Sequence, residues 1–289
     1  MEARIEIASG DYRLTVAPSR GGSILAFEWR GQQLMREAAG PEILDVACFP
    51  LVPFSNRIVS GRFDWQGRPV SLSPNLPAVD PYNPLHGYGW LSEWIVSEVT
   101  YDTLRLHQLY LGKEWPWPYR AELVYALDDG GLTSRLALSN LADEAMPAGL
   151  GFHPYFPRTS ATRYLGLHYG EWQSDASGLP TTLDERDRAI DWWNGAAVGT
   201  RNVDTVYAGR IGALQLFWPD RNLAVQIDCS ENLSLTSVYV PHSADWFCVE
   251  PVSHMTGAVN RQEVSGAISV LQPNDAMVAE MRLQASTIR

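Results

Sequence analysis

The stretch Tyr12-Arg13-Leu14-Thr15-Val16-Ala17 alternates apolar and polar side chains with a period of two. This alternation is typical of a β-strand that has one face in a core and the other in solvent. Residues 4–8 and 23–29 repeat the pattern, and the turn signals Gly10-Asp11 and Ser19-Arg20-Gly21-Gly22 separate the three segments. They predict the opening strands of an antiparallel sheet.

Patterns of period two continue along the chain, and convincing helical periods are scarce. Further strands are predicted at residues 92–100, 103–110, 121–127, 132–141, 214–218, 224–227, 233–240, 246–249, 267–271 and 277–283. More than a dozen short strands joined by turns predict an all-β fold, a large antiparallel β-sandwich. Because no repeat, charge block or linker marks a boundary, we expect one domain over residues 1–289.

Three segments lack a strand pattern. Residues 51–64 are irregular and contain the breaks Pro53 and Gly61, and residues 73–84 form a proline-rich loop. Long loops in compact domains are often functional. Residues 174–202 are the most polar part of the chain, and we expect turns there and one short helix at residues 184–193. The whole region 172–201 fits no pattern that assigns it a role.

Composition limits the possible partners and the compartment. A chain of 289 residues that is 45% hydrophobic can bury a large core, and its net charge of −11 with scattered basic residues disfavours nucleic acid and anionic membranes. The three cysteines, Cys48, Cys229 and Cys248, are an odd number in no metal-binding spacing, which favours reduced core thiols. The first residues do not resemble a signal peptide, and no apolar stretch is long enough to span a membrane. We therefore expect a cytoplasmic protein.

Aromatic residues are abundant, with eleven tryptophans and twelve tyrosines. Aromatic rings stack on the C–H face of a pyranose while polar neighbours bind its hydroxyl groups, so the composition suggests sugar binding. The alternative is that a large sandwich uses aromatic rings as core. The residues in question have little strand pattern around them: Trp90, Trp115, Trp117, Tyr119, Trp172, Trp192 and Trp193.

A few polar residues lie in apolar or rigid surroundings, where burial is costly unless the group is paired, protonated or used in chemistry. His153 follows Gly151 and precedes a proline, which restrains its backbone. Glu250 closes an apolar run, and we expect Pro251 to end that strand. The motifs are Ser55-Asn56-Arg57-Ile58, Asn83-Pro84-Leu85-His86-Gly87-Tyr88-Gly89-Trp90, Gly151-Phe152-His153-Pro154-Tyr155-Phe156, Asn202-Val203-Asp204-Thr205-Val206-Tyr207 and Trp246-Phe247-Cys248-Val249-Glu250-Pro251.

Each of these residues also has a structural explanation that needs no function. His86 and His153 could be hydrogen-bonded core histidines, and Glu250 could be a solvated strand end. Arg57 could lie on the surface, and Asp204 could form an Asx turn.

Together the motifs resemble the aldose 1-epimerase (galactose mutarotase) family, in the family's order and over about two hundred residues. The resemblance implies a galactose mutarotase-like supersandwich with a sugar in an open cleft. It also implies a free hexose such as galactose or glucose as substrate, no metal and no cofactor. The expected partner is a monosaccharide, and the protein is expected to be a monomer or homodimer.

The same resemblance assigns roles position by position. Glu250 corresponds to the general base, His153 to the general acid, and His86 to a second catalytic or substrate-orienting histidine. Arg57 and Asp204 correspond to ligands of the sugar hydroxyls, and Asn56 is an additional contact. Interconversion of anomers requires a base at the C1 hydroxyl and an acid at the ring oxygen. We therefore expect Glu250 to be ionised while His153 is protonated near neutral pH, since each charge favours the other.

Several alternatives remain open from the sequence. Two histidines and a glutamate could hold non-haem iron, and a glycosidase would normally need a second carboxylate. A relative acting on hexose 6-phosphates would need a cationic pocket, which Arg57, Arg158 or Arg163 could supply. A catalytically silent sugar-binding or regulatory protein is the alternative from another class.

Overall fold

The structure is a computed structural model that describes residues 2–176, 178–261 and 267–288. Up to residue 140 its strands are β1 (Ile5–Ser9), β2 (Tyr12–Ala17), β3 (Ser23–Trp29), β4 (Gln32–Gln33), β5 (Cys48–Leu51), β6 (Arg62–Trp65), β7 (Arg68–Ser71), β8 (Ile95–Val99), β9 (Thr103–Tyr110), β10 (Tyr119–Asp128) and β11 (Gly131–Asn140).

The later strands are β12 (Met146–Ala148), β13 (Gly151–Pro157), β14 (Arg163–Ser174), β15 (Pro180–Asp191), β16 (Val203–Trp218), β17 (Leu223–Cys229), β18 (Leu235–Val240), β19 (Trp246–Val252), β20 (Ser269–Leu271) and β21 (Ala276–Ser286). The helices of the described residues are single 3₁₀ turns at Ile43–Asp45, Val59–Gly61, Gly89–Leu91, Val198–Thr200, Pro219–Arg221 and Ala258–Asn260.

Most strands belong to one continuous antiparallel ladder. Its pairings run β8–β9–β10–β11–β21–β17–β16–β18–β19–β13–β5–β3–β2–β1, and β14 with β15 branches from β16. Two small two-stranded sheets lie outside it: the hairpin β6–β7, and β12–β20, whose strands are distant in the chain. The predicted all-β fold, a large antiparallel β-sandwich, is therefore confirmed. No helix in the described part of the chain has the length and apolar character needed to cross a bilayer.

Alternating side chains build the core, as the sequence indicates. In β10 the residues Tyr119, Ala121 and Leu123 are buried, whereas Arg120 and Glu122 between them face solvent. Successive side chains of a strand point to opposite faces, so this alternation places one face on the core. The predicted strand at residues 103–110 coincides with β9.

Three neighbouring strands break this alternation, and they carry the site. Every residue of β5 is buried, as is nearly every residue of β13 and β19. A strand that is buried on both faces has one face on the core and the other under covering loops. Here the loops at residues 36–46, 52–61 and 72–91 provide side chains over these strands, and the pocket described below lies between these loops and the sheet.

Two local predictions from the sequence are wrong. Residues 184–193 do not form a helix, because most of them belong to β15, which pairs with β14. This strand is polar and largely exposed, so its sequence has no alternation to reveal it, and its partner strand determines its conformation. Pro251 does not end a strand either: β19 continues to Val252, and Pro251 pairs with Thr236 of β18.

Candidate active site

The register of β13 and β19 brings together the two residues on which the functional hypothesis depends. Gly151 pairs with Val252 and Tyr155 pairs with Cys248, so His153 lies directly opposite Glu250. The His153 Nε2 atom is 3.4 Å from the Glu250 Oε1 atom. Both residues are buried, with 6% and 4% of their surfaces exposed. His153 is thus held by a strand and not by a loop.

Aromatic rings fix the orientation of the His153 imidazole. The ring stacks on Phe49 of β5, with centroids 4.5 Å apart and an interplanar angle of 25°. The His86 ring meets it edge-on, with centroids 5.0 Å apart and an angle of 89°. These contacts hold the imidazole in a plane from which its edge can meet Glu250 and a ligand.

His86 is held by reciprocal hydrogen bonds with Asn56. The His86 backbone N–H donates to the Asn56 carbonyl oxygen at 2.9 Å, and the Asn56 N–H donates to His86 Nδ1 at 3.1 Å. Because Nδ1 accepts, the proton of the neutral ring lies on Nε2. The adjacent Gly87 has a φ of 73°, and a Cβ there would lie 2.1 Å from the Val52 carbonyl oxygen. Only glycine allows the loop to cross this strand end so closely.

Arg57 is a fixed, already neutralised cation. Its Nε donates to Asp80 Oδ2 at 2.9 Å, and its side chain lies 3.8 Å from Asp204 Oδ2. Burial alone would raise the pKa of Asp80, but hydrogen bonds from Asn83, Tyr82 and Arg57 together lower it. Asp80 therefore stays ionised and orients the guanidinium. Asp80 was not identified from the sequence, because it lies in the proline-rich loop and only its charge distinguishes it.

All six residues singled out from the sequence line one pocket of about 260 Å³. This volume is below the roughly 300–1,000 Å³ typical of sites for drug-sized ligands, and it suits a small molecule of monosaccharide size. The six residues are Asn56, Arg57, His86, His153, Asp204 and Glu250, and the remaining lining residues are Leu44, Val79, Leu85, Tyr155, Ser237, Tyr239 and Trp246. Their proximity follows from the geometry, whereas their roles remain predictions.

The aromatic wall of the pocket is different from the one considered in the sequence analysis. Trp90, Trp115, Trp117, Tyr119, Trp172 and Trp193 are buried in the core, and Trp192 packs against it, so the structural alternative was correct for this group. The pocket instead presents Tyr155, Tyr239 and Trp246, with the Trp246 ring 5.0 Å from that of Tyr155. Two of these three lie in motifs quoted above, but strand alternation alone did not mark them as ligand contacts.

A half-buried arginine, Arg36, supports this wall. The Arg36 guanidinium lies 3.6 Å from the Tyr155 ring centroid and 4.9 Å from that of Trp246. It donates hydrogen bonds to the backbone carbonyls of Leu44 and of Val46. Such cation–π contacts strengthen when water is excluded. Arg36 therefore ties two pocket rings to the loop that carries Leu44.

Burial favours the uncharged forms of the central pair. It raises the pKa of Glu250 well above its usual value; Asp204 contributes in the same direction and Arg57 opposes it. Burial likewise lowers the pKa of His153 to about 3, with a contribution from Arg36. Both directions are opposite to the expectation of an ionised Glu250 beside a protonated His153. Desolvation is the largest cause of both shifts because so little of either side chain is exposed.

His254 supports the segment that carries Asn56 and Arg57. Its Nε2 accepts a hydrogen bond from the Ser55 N–H at 3.0 Å, and its Nδ1 lies 2.8 Å from the Met255 carbonyl oxygen. The ring is therefore neutral with its proton on Nδ1, because a second proton would face the Ser55 N–H. Burial lowers the pKa of His254 to about 4, although the bond to Met255 opposes this.

Because His254 is neutral in the folded protein, the free energy of unfolding depends on pH. The unfolded chain binds a proton at His254 below the ordinary pKa of about 6.5, whereas the folded protein binds it only near pH 4. The free energy of unfolding therefore falls as pH decreases from about 6.5 to 4. In His254→Gln, the loss measured by urea titration between pH 7 and pH 5 should be smaller by roughly 2 kcal/mol. The control is His242→Gln at an exposed position; an unchanged loss in His254→Gln would contradict the assignment.

One group of residues has the donor atoms of a metal site. The potential ligand atoms of His153, Cys248 and Glu250 all lie within 4.8 Å of one another. His86 is not part of this group, so the iron triad of two histidines and one carboxylate is not assembled among the residues that the structure describes. All three cysteines are free thiols, and Cys48 and Cys248 are buried, as the sequence predicted.

Comparison with known proteins shows the family to which the chain belongs. The aldose 1-epimerase family model matches residues 3–284, and the chain belongs to this family. YphB of Escherichia coli K12, a protein described as uncharacterized, is 31% identical over 288 residues, which cover 96% of this chain and 97% of YphB.

Solved structures share the fold over their whole lengths. The crystal structure of an aldose 1-epimerase candidate from Escherichia coli K12 has a TM-score of 0.91 and 28% identity, with full coverage of both chains. A galactose mutarotase-like protein from Clostridium acetobutylicum has a TM-score of 0.86 and 19% identity, covering 99% of this chain and 96% of its own. At 19% identity, the similarity to the Clostridium acetobutylicum protein shows a shared fold only.

Proposed function

We propose that the protein is an aldose 1-epimerase that interconverts the α and β anomers of a free hexose such as galactose or glucose. The single observation that carries the proposal is the buried pair of Glu250 and His153, 3.4 Å apart, in a pocket of monosaccharide size. Family membership supports the class of reaction.

The reaction exchanges two protons around one carbon atom. In the proposed mechanism, Glu250 removes the proton of the C1 hydroxyl while His153 donates a proton to the ring oxygen, and the C1–O5 bond breaks. After rotation about C1–C2, the two groups act in reverse and the ring closes on the other face of the aldehyde. Both reacting oxygens are bonded to C1, so acid and base must be close neighbours, as Glu250 and His153 are.

The electrostatics of the pair suit the open-chain form. Ring opening converts ionised Glu250 and protonated His153 into a neutral acid and a neutral imidazole, with no net proton gained or lost. Burial favours these neutral forms, since it raises the pKa of Glu250 and lowers that of His153. The site therefore stabilises the enzyme state that accompanies the high-energy aldehyde more than the state that accompanies the closed ring. The charged pair that begins ring opening is correspondingly the less favoured state of the buried site, so in this proposal hydrogen bonds to the bound sugar stabilise it.

The neighbouring residues bind and orient the sugar in this proposal. His86 donates a hydrogen bond from Nε2, and it is a poor proton donor because its Nδ1 already accepts from Asn56. Burial, with contributions from His153 and Arg57, lowers the pKa of His86 well below its usual value. Arg57 and Asp204 bind hydroxyl groups, and the rings of Tyr155, Tyr239 and Trp246 provide apolar surface for the C–H face.

A phosphorylated substrate has less support. The phosphate would need an uncommitted cation, but Arg57 already contacts two carboxylates, Asp80 and Asp204. Arg158 and Arg163 donate to the backbone carbonyls of Pro241 and Gly195, and neither lines the pocket. A dianionic phosphate in this pocket would have no uncommitted cation to compensate the cost of its desolvation.

Polarimetry tests the proposal directly. Catalytic amounts of the protein should accelerate the change in optical rotation of freshly dissolved α-glucose or α-galactose, because both sugars have the same reacting C1 centre. With glucose 6-phosphate we expect kcat/KM to be at least about tenfold lower, equivalent to a difference of about 1.4 kcal/mol. Heat-denatured protein is the control. Sugar binding without acceleration would indicate a catalytically silent sugar-binding protein. A higher kcat/KM with glucose 6-phosphate than with glucose would show that the phosphorylated sugar is the preferred substrate.

A further inference from the structure

We propose that His153, Cys248 and Glu250 form a binding site for a soft divalent ion such as Zn²⁺, and that the bound ion switches off the acid/base pair. The site uses a thiol that the proposed reaction does not need. Binding of the ion is independent of the proposed function, whereas the inhibition that it causes rests on that function.

The three side chains converge because of strand geometry. Trp246, Cys248 and Glu250 alternate along β19, and the first and last line the pocket, so Cys248 points toward the same side. His153 lies opposite Glu250 on β13, and Cys248 lies opposite Tyr155, which also lines the pocket. The thiol is therefore directly beneath the pocket, next to the catalytic pair.

The distances suit a tetrahedral ion after a small adjustment. Zn²⁺ binds nitrogen, oxygen and sulfur at about 2.0–2.3 Å, which separates neighbouring ligand atoms by roughly 3.3–3.7 Å. The His153 Nε2 and Glu250 Oε1 atoms are already 3.4 Å apart. The ligand atoms of all three residues lie within 4.8 Å, so rotation of the Cys248 side chain, or of the other two, needs to shorten a separation by about 1 Å.

The charge and softness of the ligands favour Zn²⁺ or Cd²⁺ over Mg²⁺ or Ca²⁺. One thiolate and one carboxylate neutralise a divalent ion, and a buried site tolerates a neutral assembly better than a charged one. Thiolate and imidazole ligands select Zn²⁺-like ions, whereas Mg²⁺ and Ca²⁺ prefer sets of oxygen atoms. The fourth position faces the pocket, where water can complete the shell.

Occupation of the site is incompatible with the proposed reaction. The ion takes the imidazole lone pair that His153 needs to exchange a proton, and it takes the carboxylate oxygen of Glu250. No covalent step or electron transfer is involved, and removal of the ion restores the pair. Soft divalent ions should therefore act as reversible inhibitors that compete with the sugar.

The thiolate bond gives the site a spectroscopic test. Chelator-treated full-length protein is titrated with Cd²⁺, and the ultraviolet charge-transfer band of a Cd–thiolate bond is recorded, with Mg²⁺ as the negative control ion. We expect one equivalent to bind. Cys248→Ser should abolish the band and weaken Cd²⁺ binding by more than about 100-fold, since even loss of a residue that only supports a ligand costs 10–100-fold. It should still accelerate mutarotation.

Cys48→Ser is the matched control, because Cys48 is a buried thiol on β5 that is not part of the ligand group. This variant should keep both the band and the affinity. Absence of the band in the wild type, or its persistence in Cys48→Ser and Cys248→Ser alike, would overturn the proposed site. A band without any mutarotation would instead refute the proposed function and leave the metal site intact.

Discussion

Replacement of Glu250 by glutamine should lower kcat for mutarotation by about 10²–10⁴-fold, the usual contribution of a general acid or base. Glutamine has nearly the same shape and cannot accept the proton of the C1 hydroxyl. The buried carboxyl group already favours its neutral form, as the raised pKa of Glu250 indicates. The amide should therefore be tolerated, and the variant should fold with a circular dichroism spectrum like that of the wild type.

Glu171→Gln is a suitable control for this variant. Glu171 is a largely buried carboxylate that pairs with Arg201 at 3.2 Å, and it does not line the pocket. Glu171→Gln should change kcat by less than about threefold, in contrast to the loss of about 10²–10⁴-fold in Glu250→Gln. Equal rates in the wild type and in Glu250→Gln would show that Glu250 is not the general base.

Replacement of His153 by asparagine should cause a second loss of about 10²–10⁴-fold in kcat. Asparagine retains hydrogen-bonding groups but has no ionisable nitrogen to protonate the ring oxygen. Because general acid and base act in the same transition state, the losses in Glu250→Gln and His153→Asn should not add in the double variant. Initial rates by polarimetry, with unfolding curves to verify folding, provide the measurement.

His107→Asn is the control for that variant, since His107 lies on β9 and away from the pocket. His86→Asn distinguishes the two histidines of the site: as an orienting residue, His86 should affect KM at least as strongly as kcat. A near-normal rate in His153→Asn together with a collapse in His86→Asn would exchange their roles.

The six candidate site residues that line the pocket were named from the sequence because they lie in short motifs that resemble those of the aldose 1-epimerase family. Gly87 is required by a close backbone crossing, and His86, His153 and Glu250 are titratable groups in apolar surroundings that burial must pair or use. The direction in which burial shifts the pKa values of Glu250 and His153 was not expected from the sequence, because the cost of desolvation depends on burial from every side. Asp80 and Arg36 were missed because their importance lies in what they touch, namely Arg57 and the rings of Tyr155 and Trp246.

The sequence by itself determined that the chain is all-β, because alternation with a period of two is a local property that survives in strands such as β2, β9 and β10. It also determined which residue types could perform the chemistry. Only the tertiary structure decided that β13 pairs with β19 in the register that sets His153 against Glu250, and that Cys248 joins them. The strand conformation of the polar segment β15 likewise depends on its pairing with β14. Pairing between distant strands depends on the packing of the whole sandwich, which no local pattern contains.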